Sequence, residues 1–359
     1  MLSNYCSRPF TDMHIEENGN ITPCCVMPSN RWYMGNGIKD YYYGKPLKEL
    51  QEKFLRNERP EECLYCWQAE EAGLKTHRRV ANSKKSIYEI HIRLNNVCNF
   101  KCRICNPRFS STWAAENKKH NYFPNFDWDT QKDVFDQDPS LLRFITDAIK
   151  KGDLRFLNIS GGEPLLTNAN YHLLNHLREN DATDIQICYS TNLSSLKYNN
   201  VDFLDLWKSF KSVRLEVSCD GWGRDVEYSR TGFDRKVFFT NLVKCLPHVA
   251  GINCVVSKYS VWTLPYLQKI ADKLNLKVTY SPLFFPEFLN AQRLIAEDKD
   301  QLRKLYEPYP ALMHLFNSYL NVDLPTMGKE FVKFNSLLDK HRNTNLFDVF
   351  PQYEKYKEL

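Results

Sequence analysis

The stretch Cys98-Asn-Phe-Lys-Cys102-Arg-Ile-Cys105 places three cysteines at CxxxCxxC spacing, directly after the apolar, strand-like run from Ile90 to Val97. Three thiolates can hold three irons of a four-iron cluster and leave the fourth iron open. A fully ligated cluster takes four thiolates, so a tight group of three indicates an iron that binds something else. The stretch therefore predicts an iron–sulfur site whose open iron takes a substrate or a cofactor.

Glycine and polar residues follow the later strand-like runs of the chain. These residues occur in three segments, which are Leu157-Asn-Ile-Ser-Gly161-Gly162-Glu163-Pro164, Ser190-Thr191-Asn192 and Ser218-Cys-Asp220-Gly221. With the cysteine motif in front of them, these segments make the chain resemble the radical S-adenosylmethionine (radical SAM) enzymes. The resemblance implies a four-iron cluster held by Cys98, Cys102 and Cys105, with SAM bound at its open iron.

The same resemblance assigns expected roles to residues around SAM. Gly161 and Gly162 let the backbone approach the ligand, and Glu163 accepts from its ammonium group. Other residues are expected to contact the methionine, ribose, carboxylate and adenine parts of SAM. They are Ser190, Asn192, Ser218, Arg230 and Phe100. Ser218 and Arg230 form the expected carboxylate pair, since a guanidinium suits bidentate binding. Asp220 is the candidate base or substrate contact.

Strand-like and helix-like segments alternate from about residue 88. The predicted strands are Tyr88–Asn95, Leu154–Ser160, Ile185–Thr191, Val213–Ser218, Ile252–Ser257 and Val278–Leu283, and the predicted helices between them include Pro139–Lys151, Tyr171–Glu179, Val237–Leu246 and Leu264–Leu274. Such alternation predicts an α/β fold with a parallel sheet. Six units fit the incomplete (β/α)6 barrel of the radical SAM type better than a closed eightfold barrel.

The chain is expected to divide into three regions. Residues 86–286 should form the core barrel and residues 287–359 a helical C-terminal extension, and residues 1–85 should form a small domain that resembles an auxiliary iron–sulfur domain by the cysteine spacing given below. Helices are expected in the extension at Asp298–Tyr306 and Gly328–Lys340, without a catalytic motif.

The predicted strands have one polar face and one apolar face. Glu89, His91 and Arg93 alternate with isoleucines in the first strand, and Glu216 belongs to the polar face of the fourth. Because the apolar faces must meet the outer helices, the polar faces should point into the barrel and line a ligand site. The alternative is a buried, mutually satisfied polar network at the barrel floor.

A second group of cysteines lies before residue 85. Cys6 is followed by twelve residues, Gly19, four residues and Cys24, and the pair Cys63-x2-Cys66 completes the set. A hairpin turning at Asn18-Gly19 would bring the first two thiols together. The pattern is similar to the twitch domain, a shortened relative of the SPASM domain, and implies an auxiliary four-iron cluster with four protein ligands.

Three points about this domain stay open at the level of sequence. Four cysteines with one CxxC pair also suit a tetrahedral zinc site. Cys25 could replace Cys24 as a ligand. Family members usually carry the domain after the barrel, whereas in this chain it precedes the barrel, so its orientation and substrate contacts cannot be transferred.

Composition excludes several classes of protein. The first ten residues lack the layout of a secretory signal, and no apolar run approaches the roughly 18 residues of a membrane span, so a soluble cytoplasmic protein is expected. Twelve cysteines in a chain of 359 residues without such a signal indicate metal ligands in a reducing compartment. Two clusters would lower the formal charge of +5 to about +2, which argues against nucleic acid.

The resemblance predicts reductive cleavage of SAM to a 5'-deoxyadenosyl radical that abstracts a substrate hydrogen. A fully ligated second cluster favours an oxidative outcome, in which the substrate radical loses a proton to a base and an electron to that cluster. Dehydrogenation of a small molecule and crosslinking of a peptide both fit, and a flavodoxin- or ferredoxin-type protein is the expected electron donor. Epimerisation, rearrangement, RNA or nucleotide modification, and a non-catalytic electron-transfer or binding role are the alternatives.

Overall fold

The structure is a computed structural model, and it describes residues 4–27, 32, 34–71, 76, 78, 86–125 and 132–359. The expected domain boundary at residue 85 falls outside the described residues. None of the helices in these ranges combines the length and apolar character needed to cross a membrane.

The secondary structure is numbered in chain order. The strands are β1 Asp12–Ile15, β2 Ile21–Thr22, β3 Glu89–Arg93, β4 Lys101–Cys102, β5 Phe156–Ser160, β6 Gln186–Thr191, β7 Lys197–Tyr198, β8 Val201–Asp202, β9 Ser212–Ser218, β10 Arg230–Thr231, β11 Val249–Val256 and β12 Val278–Pro282. The α-helices are α1 Arg8–Thr11, α2 Ile38–Tyr43, α3 Lys45–Leu55, α4 Leu64–Glu71, α5 Ser111–His120, α6 Val134–Gln137, α7 Ser140–Lys150, α8 Asn168–Glu179, α9 Phe203–Trp207, α10 Gly223–Ser229, α11 Arg235–Cys245, α12 Leu264–Lys273, α13 Ala296–Tyr306, α14 Pro310–Leu315, α15 Gly328–Arg342 and α16 Leu346–Val349. Short 3-10 turns precede α4 at Glu61–Cys63 and α5 at Pro107–Phe109, and another follows β5 at Pro164–Leu166.

The chain forms two compact units. The first contains the described residues up to Cys98, those from 132 to Ser190, and Ser195–Arg214. Its strands lie in the order β6-β5-β3-β1-β2, and every pairing is parallel except that of β1 with β2. In β3 and β5 alternate residues are buried, with Ile90 and Ile92 fully inside, which is the period of two expected for a strand with one apolar face.

Strand β1 joins the core sheet although it comes from the cysteine-rich N-terminal segment. Its residues pair in parallel with β3, with Asp12 opposite Glu89 and His14 opposite His91. It is not among the six strands predicted from the sequence, because the tetrapeptide DMHI mixes an acid and an imidazole with two apolar residues. All four residues are nevertheless buried.

The second unit contains the described residues from Asn99 to 125, Thr191–Ser194 and Leu215–Leu359. Strand β11 pairs in parallel with both β9 and β12, and a small antiparallel ladder joins β4 to β10. The C-terminal helices pack in this unit through an aromatic core in which Tyr259, Phe331 and Tyr353 contact one another. Both helices predicted in the extension are present as α13 and α15.

All six predicted strands are present, as β3, β5, β6, β9, β11 and β12. The α/β fold with a mostly parallel sheet is confirmed. The predicted N-terminal hairpin is also present: β1 and β2 pair antiparallel, and Gly19 adopts a φ of +79° in the turn between them. A left-handed conformation of this kind is one that glycine adopts without a steric cost.

Candidate functional site

In the first unit, the segment that ends in Cys98 lies against the Gly161-Gly162-Glu163 turn. The Gly162 and Glu163 amides donate to the carbonyls of Asn95 and Val97, at 3.0 and 2.7 Å. A Cβ on Gly161 would stand 2.7 Å from the Asn95 oxygen, and one on Gly162 would stand 2.2 Å from the Val97 oxygen. The glycines are therefore required by the approach of this backbone, and not only by the approach to a ligand that the sequence suggests.

Glu163 itself is buried at the start of the 3-10 turn that follows β5. Its Oε1 accepts from the Leu165 amide at 3.1 Å, so it acts as the N-cap of that turn. Asn95 is fixed by donating to the Thr167 hydroxyl at 2.6 Å, and its own side-chain oxygen accepts from the Val97 amide. The approach to Cys98 is thus built from buried, hydrogen-bonded residues.

In the second unit, the β4–β10 ladder positions the other two cysteines of the motif. Cys102 pairs with Arg230 across the ladder, and the Arg103 amide donates to the Ser229 carbonyl at 2.7 Å. The Cys102 carbonyl accepts from the Cys105 amide and from the Trp113 indole, at 3.0 and 2.9 Å. These contacts fold the loop, and Cys102 and Cys105 therefore lie together in one short segment.

Phe100 is buried beside the same ladder. Its ring contacts Phe233 at a centroid distance of 6.2 Å, and its carbonyl accepts from the hydroxyls of Ser110 and Thr112. Asn192 lies nearby, because its amide donates to the Asn99 side-chain oxygen at 3.1 Å. Two of the residues predicted to surround SAM are therefore held next to the cysteine loop.

Arg230 and Asp220 form a buried bidentate ion pair. Arg230 Nε lies 2.6 Å from Asp220 Oδ2, Nη2 lies 3.0 Å from Oδ1, and the Val255 amide also donates to Oδ1 at 2.8 Å. Burial is the largest cause and lowers the pKa of Arg230, but the Asp220 carboxylate, together with nearby Cys102 and Cys219, outweighs it, so the pKa is raised.

This pair changes two expectations from the sequence. The fork of Arg230 binds Asp220, and Ser218 is not among its hydrogen-bond partners in the described part of the chain. Asp220 has both oxygens engaged, which does not suit a proton acceptor or a substrate contact. The geometry favours a role for the pair in holding β10, and through it Cys102, against β11.

The C-terminal helix α15 fixes the cysteine loop from another side. Arg103, whose side chain is fully buried, donates to Asn335 at 3.1 Å and to Asp339 at 2.6 Å. Arg342 forms a bidentate pair with Glu116 and donates to the Lys101 carbonyl at 2.8 Å. No role for this helix is predicted from the sequence, since these partners are more than 200 positions apart in the chain.

Four of the five cysteines of the N-terminal segment line one cavity in the first unit. Cys6 precedes α1, Cys24 follows β2, Cys63 ends a 3-10 turn and Cys66 lies in the first turn of α4. Cys25 is not among the described residues that line this cavity. Burial, with Cys6 and Cys66 close by, raises the pKa of the Cys63 thiol. Such thiols give up their protons to a metal rather than to water.

Two arginines line the cavity with the thiols. Arg8 pairs with Asp12 at 2.7 Å, and Arg78 pairs with Glu70 at 2.7 Å and donates to the Tyr5 carbonyl. A cluster with four thiolates carries about two negative charges, which guanidinium groups offset. Among the described residues, no three His, Cys, Asp or Glu side chains are placed to hold a single metal ion. The four thiols and the nearby guanidinium groups, which are themselves paired with Asp12 and Glu70, fit an iron–sulfur cluster, and the cysteine spacing alone does not predict the two arginines.

A third group of polar side chains lies on the polar face of β3 and β1. His91 Nε2 is 2.7 Å from Glu89 Oε1, and the Asn158 amide donates to that same oxygen at 2.9 Å. The His14 ring lies 6.2 Å from the His91 ring, centroid to centroid. Arg93 lies within 4 Å of Glu16 and Glu17, which follow β1. Strand β1 thus connects the cysteine-lined cavity to an acid–base group on the core sheet.

Other predicted site residues are placed without a resolved role. Ser190 is exposed near the end of β6 in the first unit, and Ser218 is half-buried at the end of β9 in the second.

Comparison with known proteins agrees with the two cysteine groups. Residues 92–246 match the radical SAM superfamily, and residues 6–67 match an iron–sulfur cluster-binding domain, SPASM. A search of curated protein sequences gave no match.

Solved structures match the chain at low identity and with TM-scores below 0.5. Streptococcus suis SuiB bound to S-adenosylmethionine is 14% identical with a TM-score of 0.44, over 79% of this chain and 60% of that chain. SuiB bound to the precursor peptide SuiA gives 14% and 0.42, over 81% and 64%. TYW1 with a lysine-pyruvate adduct gives 11% and 0.32, over 62% and 72%. The chain thus spans less than two thirds of the length of SuiB.

Proposed function

Since the chain is a radical SAM protein with an iron–sulfur SPASM domain ahead of its core, binding two four-iron clusters and SAM, we propose that it oxidises its substrate. The substrate is a small molecule or a peptide from which one hydrogen atom, one proton and one electron are removed. The SPASM domain lies N-terminal to the core, as the cysteine spacing predicts.

The residues of the cysteine loop hold the core cluster in this proposal. Cys98, Cys102 and Cys105 are its ligands, and Glu163 accepts from the SAM ammonium group. Phe100 and Asn192 lie beside the loop on the side of β10, where they would contact SAM. The ion pair of Asp220 with Arg230 keeps the ladder under Cys102 in place, and this positioning role replaces the two direct contacts expected from the sequence.

The observation that carries the oxidative proposal is the cavity lined by Cys6, Cys24, Cys63 and Cys66. Four thiols close the coordination of a four-iron cluster, so no iron is left for a substrate to bind. A closed cluster between guanidinium groups suits electron acceptance. The presence of Cys24 in the lining supports Cys24 rather than Cys25 as the fourth ligand.

A cluster held by Cys98, Cys102 and Cys105 would supply the reducing electron and, with SAM, the hydrogen-abstracting chemistry, and a cluster held by Cys6, Cys24, Cys63 and Cys66 would supply the acceptor for the second electron. The chain itself must accept the proton that leaves the substrate. We assign this step to His91, whose Nε2 faces Glu89 while Asn158 orients the carboxylate. The side chain is partly exposed while Nε2 is buried against Glu89, so Nδ1 is the nitrogen that would accept the proton from a substrate on the polar face of β3.

The polar face also bears on the class of substrate. Glu16, Glu17 and Glu89 lie there with a single arginine and two histidines. Such a surface favours hydroxyl- or amine-bearing groups over aliphatic ones, and both small molecules and peptides offer them. A flavodoxin- or ferredoxin-type donor and a cytoplasmic location stay predictions of the sequence.

Electron counting provides the test. In an oxidation, the substrate gives back one electron to the enzyme for each electron used to cleave SAM. The intact enzyme should therefore form many product molecules for each reducing equivalent supplied. Cys63→Ala should form at most about one, because its second electron has no cluster to enter. Product and 5'-deoxyadenosine would be quantified by chromatography with limiting dithionite, using a substrate found by its stimulation of SAM cleavage. Equal yields per electron in parent and Cys63→Ala would refute the oxidative assignment.

A further inference from the structure

An apolar pocket in the second unit opens beside the cysteine loop, apart from the residues assigned to SAM. It has a volume of about 410 Å³. Cys105 is part of its wall together with the aromatic side chains Trp113, Phe123, Phe285, Phe288 and Phe334. Phe285 is three-quarters exposed although it is a large apolar residue. An exposed apolar concavity of this kind indicates a binding surface.

The pocket lies very close to the core cluster ligands. Cys105, Phe123 and Phe334 pack against a buried group formed by Trp113, Tyr122 and Leu338. The Trp113 indole donates to the Cys102 carbonyl at 2.9 Å. A molecule seated in the pocket would therefore contact Cys105 and lie one side chain, that of Trp113, from the backbone of Cys102, so that it would lie next to two of the three cluster ligands.

Basic residues lie at the ends of the two helices that supply Trp113 and Phe334 to the pocket. The last turn of α5 carries Lys119 and His120, and the last turn of α15 carries Lys340 and His341. The two imidazoles stack with their centroids 3.8 Å apart, so both helix ends belong to one surface. Lys333 lies seven residues before Lys340, on the same side of α15 and next to Phe334. We call the surface of Lys119, His120, Phe123, Lys333, Phe334 and Lys340 the α5–α15 face.

Three basic residues of this face outnumber its one exposed acid on α15, Glu330, and two other nearby acids are already paired. Glu116 is bound by Arg342 and Lys101, and Asp339 is bound by Arg103. Lys119, Lys333 and Lys340 are all exposed. The face therefore combines an apolar centre with a basic rim, an arrangement that suits a partner with an acidic rim around an apolar contact.

We propose that the α5–α15 face docks an acidic, one-electron carrier protein that reduces the core cluster. The inference rests on the proposed function, since only a chain with a SAM-binding cluster at this loop needs such a donor. The carrier loses one electron, the cluster gains it, and no covalent bond forms or breaks in the step. Helix α15 thus has two roles, because it fixes the cysteine loop on one side and presents basic residues on the other.

Two kinds of reductant distinguish docking of the carrier protein from SAM cleavage at the core cluster. Dithionite is small and needs no docking surface, whereas reduced flavodoxin and reduced ferredoxin must bind first. The charge-reversal variant Lys333→Glu/Lys340→Glu should keep its dithionite-driven 5'-deoxyadenosine formation and lose about tenfold or more of the rate supported by the carrier proteins at low salt. The matched control Lys236→Glu/Lys244→Glu, on the exposed side of α11, should keep both rates.

The possible outcomes distinguish a failure of the proposed function from a failure of the docking proposal. Absence of 5'-deoxyadenosine from the parent under dithionite would refute the proposed function itself. A parent that responds to dithionite but to neither carrier protein would overturn the docking proposal alone. The same holds if both charge-reversal variants lose carrier-driven activity equally, or if neither does. We expect that only the α15 variant loses carrier-driven activity. We also expect that added salt lowers the carrier-driven rate of the parent.

Discussion

Replacement of Cys98, Cys102 and Cys105 together by alanine is expected to lower the iron content of the anaerobically reconstituted protein from about eight to about four per chain. The three thiols belong to one loop and the four of the N-terminal segment belong to one cavity. Because no residue is shared between the groups, each cluster should assemble without the other. Iron and acid-labile sulfide assays on matched preparations measure the loss.

Two further variants give this experiment its controls. Cys6→Ala/Cys63→Ala should also retain about four irons, and Cys245→Ala, which changes a cysteine buried in α11, should retain about eight. One zinc and four irons in the parent would show that the N-terminal cysteines hold zinc and would remove the electron acceptor from the proposed mechanism.

Asp220→Ala is expected to destabilise the protein by about 3 to 5 kcal/mol, because it leaves the buried Arg230 guanidinium without its carboxylate. Since Arg230 pairs with Cys102 across the β4–β10 ladder, the core cluster should also be retained less well. Anaerobic thermal unfolding followed by circular dichroism, with iron content before heating, measures both effects.

A double variant distinguishes the effect of leaving Arg230 without its carboxylate from the effect of changing the side-chain packing. Asp220→Leu/Arg230→Met removes both charges, and it should be clearly more stable than Asp220→Ala because no buried charge is left unpaired. An unfolding temperature for Asp220→Ala equal to that of the parent would mean that the pair carries little stability, and the positioning role would have to be abandoned.

Short-range patterns made much of the fold predictable. Alternation of Ile90 and Ile92 with Glu89, His91 and Arg93 marks a strand, and its buried and half-buried residues follow that order. The two cysteine groups are also local patterns, and the family matches to residues 6–67 and 92–246 agree with both. Spacing along the chain is sufficient in these cases because each pattern concerns neighbours.

Long-range contacts could not be predicted in the same way. The contacts of Arg103 with Asn335 and Asp339 join positions that no periodicity connects. Asp220 and Arg230 both looked like ligand contacts, since a sequence does not show that an acid and a base neutralise each other. The pairing of β1 with the core sheet was missed for a related reason, because only the folded chain places Asp12 beside Arg8 and His14 opposite His91.

The central claim is that the loop of Cys98, Cys102 and Cys105 makes this chain a SAM-cleaving enzyme. Chromatographic measurement of 5'-deoxyadenosine from the parent, Cys102→Ala and Cys63→Ala proteins under dithionite tests it most directly. We predict slow formation by the parent and by Cys63→Ala, which keeps the core cluster, and none above background by Cys102→Ala. A parent that forms no more 5'-deoxyadenosine than Cys102→Ala would contradict the account and favour a role in electron transfer without SAM cleavage.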